Sequence, residues 1–147
     1  MASTAAVPES TPLVAPGEYE VSLFRLYVLR AMYLVLVVGL GAMIVPEIVD
    51  HELTSRGVIA SLLGAVWLLA FLGLRYPLEM LPLLMFELAW KAIWLFAYGL
   101  PQWSSGQRPA TFAEDSFNIA FGVVLLFVIP WRYAWQRFVA RPGARWH

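Results

Sequence analysis

Residues 78–100 read LEMLPLLMFELAWKAIWLFAYGL, an apolar stretch that carries Glu87 and Lys91 near its middle. The hydrocarbon core of a bilayer is about 30 Å thick and requires about 20 mostly apolar residues in a helix, so this stretch is long enough to cross it. Glu87 and Lys91 are four residues apart and share one helix face, with the acid in the more favourable N-terminal position. The sequence predicts an ion pair within a membrane-spanning helix.

The predicted helix has two unlike faces. With about 100° of rotation per residue, all the charges and both tryptophans fall on one face and an entirely apolar set falls on the other. The first face holds Glu79, Leu83, Phe86, Glu87, Trp90, Lys91, Trp94 and Tyr98, and the second holds Met80, Leu81, Leu84, Leu88, Leu95 and Phe96. We expect the first face to meet protein or a small polar cavity, and the second to meet lipid or apolar packing.

The charged pair has two interpretations. A charge at the bilayer centre costs roughly 2.5–3.5 kcal/mol on insertion scales, and pairing reduces that cost. In the first interpretation, Glu87 and Lys91 only neutralise each other and fix the rotation and packing of the helix. In the second, they line a site for a proton, an ion or an amphipathic ligand, with Trp90 and Trp94 as an aromatic wall. The scarcity of polar residues in the other apolar segments favours the first.

The composition indicates an integral membrane protein of one domain. Of the 147 residues, 61% are hydrophobic and 14% are charged, against about 45–50% and about 25% in a typical soluble domain. The zero net charge argues against nucleic-acid binding. The absence of cysteine excludes disulfides and thiolate metal sites. Neither histidine lies in a predicted span, so haem is not expected and no cofactor is predicted.

Four apolar segments predict an all-α polytopic membrane protein whose four transmembrane helices form an antiparallel bundle. The predicted spans cover residues 24–45, 58–74, 78–100 and 116–135. They belong to a transmembrane domain of residues 22–138. Residues 1–21, rich in Ala, Pro, Ser and Thr, predict a disordered tail, and residues 139–147 predict a short basic tail.

Prolines suggest where these spans begin and end. Pro46 is predicted to end the first span. Pro77, in the turn after the second span, is predicted at the first position of the next helix, so that the second and third spans form a hairpin. Pro82 predicts a kink early in the third span. Residues 101–115 predict an exposed loop.

Arg30 lies about two turns inside the first predicted span. A long basic side chain near a helix end can reach the headgroups while its stem stays in the apolar region, and this is the favoured interpretation of Arg30. The alternative is a pair with Glu79, which the predicted topology places in the same leaflet.

An acidic segment, Glu47 to Glu52, follows the first predicted span. It lacks the HExxH pattern of zinc enzymes, because Leu53, Thr54 and Ser55 follow His51 and Glu52. The segment predicts a solvated loop. No metal site is predicted, and His51 is only a weak metal candidate.

The arginines predict the orientation of the chain. With four spans, both termini lie on one side of the membrane. That side holds Arg25, Arg30, Arg75, Arg132, Arg137, Arg141 and Arg145, and the other holds Arg56 and Arg108. Because positive charge concentrates in cytoplasmic segments, both termini are predicted to be cytoplasmic.

The segment from Arg75 to Lys91, RYPLEMLPLLMFELAWK, followed by Trp94, resembles a segment of small four-span proteins of the bacterial inner membrane. The resemblance covers the third predicted span and the turn before it. It implies a location in the bacterial inner membrane, and the group has no activity to transfer. The four-span architecture is also similar to that of DoxX-like proteins and small multidrug transporters, but the essential acid of those transporters lies in the first helix, where this chain has Arg30.

Three functions are consistent with these patterns. The favoured one is a non-enzymatic accessory or assembly subunit that contacts the bilayer and other membrane proteins or a second copy of itself. The second is a small transporter or lipophilic-ligand carrier that uses Glu87 and Lys91. The third is a membrane enzyme acting on lipid or quinone substrates, which the absence of nucleotide-binding and nucleophile motifs disfavours.

Overall fold

The computed structural model describes residues 21–50, 55–106 and 111–142. Within these ranges the chain is helical and contains no strand, so the all-α prediction is confirmed there. The helices are α1 (Leu23–Asp50), α2 (Ser55–Arg75), α3 (Leu81–Trp94), α4 (Leu100–Ser104), α5 (Phe112–Val128) and α6 (Trp131–Ala134). A π-helical turn, Leu95–Gly99, joins α3 to α4, and a second, Trp135–Val139, follows α6.

Three helical segments are long and apolar enough to cross a membrane: Leu23–Asp50, Gly57–Arg75 and Leu81–Ser104. A fourth pair, Asp115–Val128 and Trp131–Val139, passes the same test together but is bent by 73° at its break. The described part of the chain therefore has three such segments, or four if the bent pair is one span. This is compatible with a multi-pass membrane protein.

The break in the fourth segment corrects the prediction of one continuous span over residues 116–135. The residue before a proline is disfavoured in helical conformation, and Ile129 is extended, with ψ of 123°. Pro130 also lacks the N–H that would bond to the carbonyl of Leu126. The indole N–H of Trp131 donates to that carbonyl instead, at 2.7 Å, so the break leaves this acceptor satisfied.

The first helix does not end at Pro46, as the sequence predicted, but continues to Asp50. The reason is packing against α2. Ile44 is buried, and Ile44 and Ile48 both lie over Gly64 of α2. These contacts offset the hydrogen bond that Pro46 removes. Glu47 and Asp50 therefore lie on α1 rather than in a loop.

The third segment begins and ends later than predicted. Pro82, not Pro77, occupies the first turn of α3, where its missing N–H is harmless, so it does not kink the helix. Pro77 lies in the preceding turn. The helix also extends through Pro101 to Ser104, where a loop was predicted. The π-helical turn accommodates Pro101, because the N–H of Leu100 bonds to the carbonyl of Leu95, one residue further back than in an α-helix.

The closely packed core lies at one end of the helices. It draws on the first half of α1, the second half of α2, the start of α3 and the end of α5 and α6. Its buried members are Leu29, Tyr33, Leu36, Val66, Ala70, Leu81, Leu83, Leu84, Leu125, Ile129 and Ala134. The packing is therefore dense where α1 begins and α5 ends.

Two aromatic rings, each packed against a glycine of the other helix, hold α1 against α2. Tyr33 is fully buried, and a Cβ placed on Gly73 would overlap its ring. The Tyr33 hydroxyl donates to the carbonyl of Pro77 at 3.2 Å, which ties α1 to the turn before α3. Trp67 packs in the same way over Gly41, and its indole N–H donates to the carbonyl of Val37 at 2.8 Å.

Replacing Gly73 with alanine should destabilise the protein, because the added methyl group overlaps a ring that is buried on all sides. Overpacking of this kind typically costs about 1–3 kcal/mol. The measurement is the midpoint of thermal unfolding in detergent. Gly39→Ala is the matched control, because no atom lies within 4 Å of a Cβ at that position. Equal midpoints for the two variants would contradict this account of the α1–α2 contact.

Candidate functional site

Glu87 and Lys91 form the ion pair that their spacing predicts. The Lys91 Nζ lies 2.5 Å from the Glu87 Oε2. Both residues are buried, with 1% and 4% of their surface exposed. The two charges thus neutralise each other inside the protein rather than at its surface.

Lys91 is stabilised by more than its carboxylate partner. Its Nζ lies 4.0 Å from the centre of the Trp90 ring and 5.4 Å from the centre of the Phe121 ring on α5. A desolvated cation over an aromatic face gains about 2 kcal/mol. The Lys91 stem packs on α5 at Gly122, where a Cβ would lie 3.4 Å from the Lys91 Cδ. Gly122 therefore lets the lysine stem approach α5.

One polar atom of the ion pair and one of the neighbouring Trp90 have no hydrogen-bond partner in the described part of the chain. They are Oε1 of Glu87 and Nε1 of Trp90, and both are buried. An unmet buried donor or acceptor costs about 1–3 kcal/mol, and more when the group is charged. One turn of α3 thus presents an unused acceptor and an unused donor.

A cavity of about 610 Å³ adjoins this turn and is partly open to the surface. It lies beyond the packed core, between the middle of α1, the middle of α3 and the first half of α5, with Leu63 of α2 also in its wall. The lining residues are Val35, Leu36, Gly39, Leu40, Met43, Leu63, Glu87, Trp90, Lys91, Ala113, Phe117, Asn118 and Phe121. The lining is mostly apolar, and the charged pair lies on its α3 side.

Trp94 does not belong to the cavity wall, although the sequence grouped it with Trp90. Its ring packs edge-on against Trp103 with centroids 6.4 Å apart, and Trp103 packs against Phe112 at 5.6 Å. The Trp94 ring also covers Gly99 in the π-helical turn. The two tryptophans therefore belong to separate clusters, and only Trp90 lines the cavity.

The alternative pair of Arg30 with Glu79 does not form. The Arg30 Nε donates to the carbonyl of Leu74 at 3.2 Å, and its guanidinium lies 5.7 Å from the centre of the Tyr27 ring. Both Arg30 and Glu79 are exposed. Glu79 lies in the turn before α3 rather than on the helix.

The buried side of α3 is rotated from the predicted polar face toward the predicted apolar one. Phe86 and Tyr98, expected to face protein, are 53% and 65% exposed, whereas Leu84 is fully buried. The reason is that α3 must satisfy two neighbours at once. Leu81 and Leu84 join the packed core, while Glu87 and Lys91 turn toward α5 and the cavity.

The structure supplies no metal site in its described residues, where no group of three or more potential ligands lies together. The weak candidate His51 lies outside the described residues. Of the acidic residues near it, Glu47 and Asp50 are exposed on α1.

The polar residue that α5 contributes was not recognised as part of the site. Asn118 lines the cavity, together with Phe121 one turn later. The available signal was spacing: Asn118, Gly122 and Leu125 recur at helical intervals, and this places a polar and a small residue on the inward face of α5. The wall from α1 gave no signal, because its residues are uniformly apolar.

Comparisons with protein-family models, curated proteins and solved structures find no match to this chain. The class that the fold defines is a helical protein with three to four apolar segments, compatible with a multi-pass membrane protein. The cavity and the charged pair are therefore the features that point to a function.

Removing one partner of the ion pair should destabilise the protein more than removing both. Lys91→Met leaves a buried carboxylate without its cation, a change that typically costs roughly 3–5 kcal/mol. The double variant Glu87→Gln/Lys91→Met leaves no charge and should recover most of that loss. Thermal unfolding in one detergent measures both.

Glu79→Gln is the control, because Glu79 is exposed and should tolerate the change. If the double variant is as unstable as the sum of its two single variants, the side chains do not act as a pair.

Proposed function

We propose that this protein is a multi-pass membrane protein that binds a lipophilic ligand in the cavity beside Glu87 and Lys91, as a carrier or small transporter does. The observation that carries the proposal is the cavity itself, which reaches a buried ion pair. An ion pair that only stabilises helix packing would not require a cavity beside it.

The size and chemistry of the cavity support this proposal. Its volume of about 610 Å³ lies within the range of about 300–1,000 Å³ typical of small-molecule sites. Such sites are mainly apolar with a few polar groups that fix orientation. Here the polar groups are Glu87, Lys91, Asn118 and the indole of Trp90. This is the second of the functions expected from the sequence, and the cavity moves it ahead of the accessory-subunit hypothesis.

Filling the cavity should abolish ligand binding. Gly39 lines it, and no atom lies within 4 Å of a Cβ there, so a larger side chain enters empty space. The probe is a diazirine-bearing dodecanol, photo-crosslinked in lipid nanodiscs and mapped by mass spectrometry. In the wild type we expect crosslinks on Phe117 to Phe121, and in Gly39→Phe we expect these to fall at least about tenfold, equivalent to about 1.4 kcal/mol of binding free energy.

Val38→Phe is the matched control, because Val38 is the adjacent residue and is 63% exposed on the outer face of α1. It should leave crosslinking on α5 unchanged. Equal crosslinking in the wild type and Gly39→Phe would refute ligand binding in the cavity.

An accessory or assembly subunit remains the second candidate, and one observation favours it. The fourth apolar segment is broken, and α5 alone measures roughly 26 Å at ~1.5 Å per residue, less than the ~30 Å of a hydrocarbon core. A partner protein or a second copy would cover the surface beside this short helix. Co-purification in mild detergent separates the two functions, since only this one requires a protein partner.

We further propose that the bent pair is one span, that the four spans form an antiparallel bundle in the bacterial inner membrane, and that both termini are cytoplasmic. The excess of arginine on the terminal side supports this orientation. The break between α5 and α6 covers only Ile129 and Pro130, and the indole N–H of Trp131 donates across it to the carbonyl of Leu126. This contact supports the interpretation of the two helices as one bent span.

Single cysteines should report this topology cleanly, because the chain contains no cysteine. Exposed positions on the two sides are Ser22, Ser105 and Arg141. In intact cells, a membrane-impermeant maleimide should label Ser105→Cys alone, and Ser22→Cys and Arg141→Cys should react only after permeabilisation. Labelling of Arg141→Cys in intact cells, with Ser22→Cys protected, would mean that α5 and α6 re-enter the same side and that the chain has three spans.

A further inference from the structure

We propose that the cavity selects ligands whose head group is a neutral hydrogen-bond donor, such as an alcohol or phenol, over anions and over ethers of the same size. The inference rests on the proposed function and concerns which atoms of the ion pair remain unused. It assigns a ligand class to the cavity.

Lys91 is already charge-compensated by Glu87. Its ammonium already contacts the Glu87 Oε2 at 2.5 Å and lies over the rings of Trp90 and Phe121. An anionic head group would therefore bring an uncompensated negative charge to a pair whose net charge is zero. It would also come close to the negative charge of Glu87. The site therefore does not suit a carboxylate, phosphate or sulfate head group.

Glu87, in contrast, has one carboxylate oxygen that accepts no hydrogen bond from the described residues. Its Oε1 is buried without a hydrogen-bond partner within the described residues, and Glu87 itself is 1% exposed. An ionised carboxylate accepts hydrogen bonds and donates none, so the group that satisfies Oε1 must carry an O–H or N–H. Hydrogen bonds to a charged acceptor are about twice as strong as neutral ones. This unmet acceptor therefore distinguishes a donor head group from an ether.

The Trp90 indole requires the opposite kind of partner, a hydrogen-bond acceptor. Its Nε1 is buried and has no hydrogen-bond partner among the residues that the structure describes, and Trp90 lines the cavity beside Glu87. An indole N–H only donates. A hydroxyl is the smallest head group that both donates, as Glu87 requires, and accepts, as Trp90 requires. The apolar remainder of the lining, including Leu40, Met43 and Phe117, suits a hydrocarbon body.

The test is competition against the photoactivatable dodecanol in nanodiscs of one lipid composition. The competitors share one chain and differ only in the head group: dodecanol, dodecyl methyl ether and dodecylphosphonate. We expect dodecanol to displace the probe from Phe117 to Phe121 at a concentration at least about tenfold lower than the ether or the phosphonate, which corresponds to about 1.4 kcal/mol. Equal displacement by alcohol and ether would overturn the proposal and would indicate that water satisfies Oε1.

The double variant Glu87→Gln/Lys91→Met tests whether the pair itself is responsible. The preference for alcohol over ether should shrink in this variant and persist in the control Glu79→Gln, whose position is exposed outside the cavity. A full preference in the double variant would overturn the role of Glu87. If the variant does not fold, the wild-type competition still decides the head-group preference.

Failure of this inference is distinguishable from failure of the proposed function. If the probe never crosslinks to α5 in a way that Gly39→Phe abolishes, the cavity binds no lipophilic ligand, and both fail. If crosslinking is sensitive to Gly39→Phe but alcohol, ether and phosphonate compete equally, the cavity binds ligands and only the donor preference is wrong.

Discussion

The buried pair of Glu87 and Lys91 constrains the rest of the structure. A charge in a membrane-spanning helix must be neutralised and removed from lipid, and side chains four residues apart on α3 can do only the first of these. The second requires neighbouring helices. Gly122 and Phe121 on α5 provide it, the glycine by allowing close approach and the aromatic ring by covering the ammonium. The rotation of α3 follows, because the pair must face α5 while Leu84 faces the core.

The molecule has two unlike halves. At one end, aromatic rings set on glycines hold α1 against α2, and the Tyr33 hydroxyl connects them to the turn before α3. This end is closely packed. Toward the other end, α1, α3 and α5 border a cavity rather than a packed core. The ion pair lies at the boundary between the core and the cavity. A cavity of this kind, mostly apolar with a few polar groups, is the usual form of a small-molecule site.

Local sequence patterns predicted which segments are helical and which residues pair, because both depend on contacts within a few residues. The apolar segments and the four-residue spacing of Glu87 and Lys91 are signals of this kind. Proline was less informative. Pro46 and Pro101 lie within helices, and Pro130 breaks one, although the residue type is the same in all three. The difference lies in tertiary contacts and in whether a π-helical turn absorbs the missing hydrogen bond, and neither can be read from the local sequence.

The cavity was beyond prediction for a related reason. An apolar residue that lines an empty space and one that packs in a core are chemically alike, so Leu40 and Met43 gave no sign of their difference from Leu29. What distinguishes them is their surroundings: Leu29 lies in the packed core, whereas Leu40 and Met43 border the cavity. The charged pair, which the sequence favoured as an element that only stabilises packing, thus also borders a cavity.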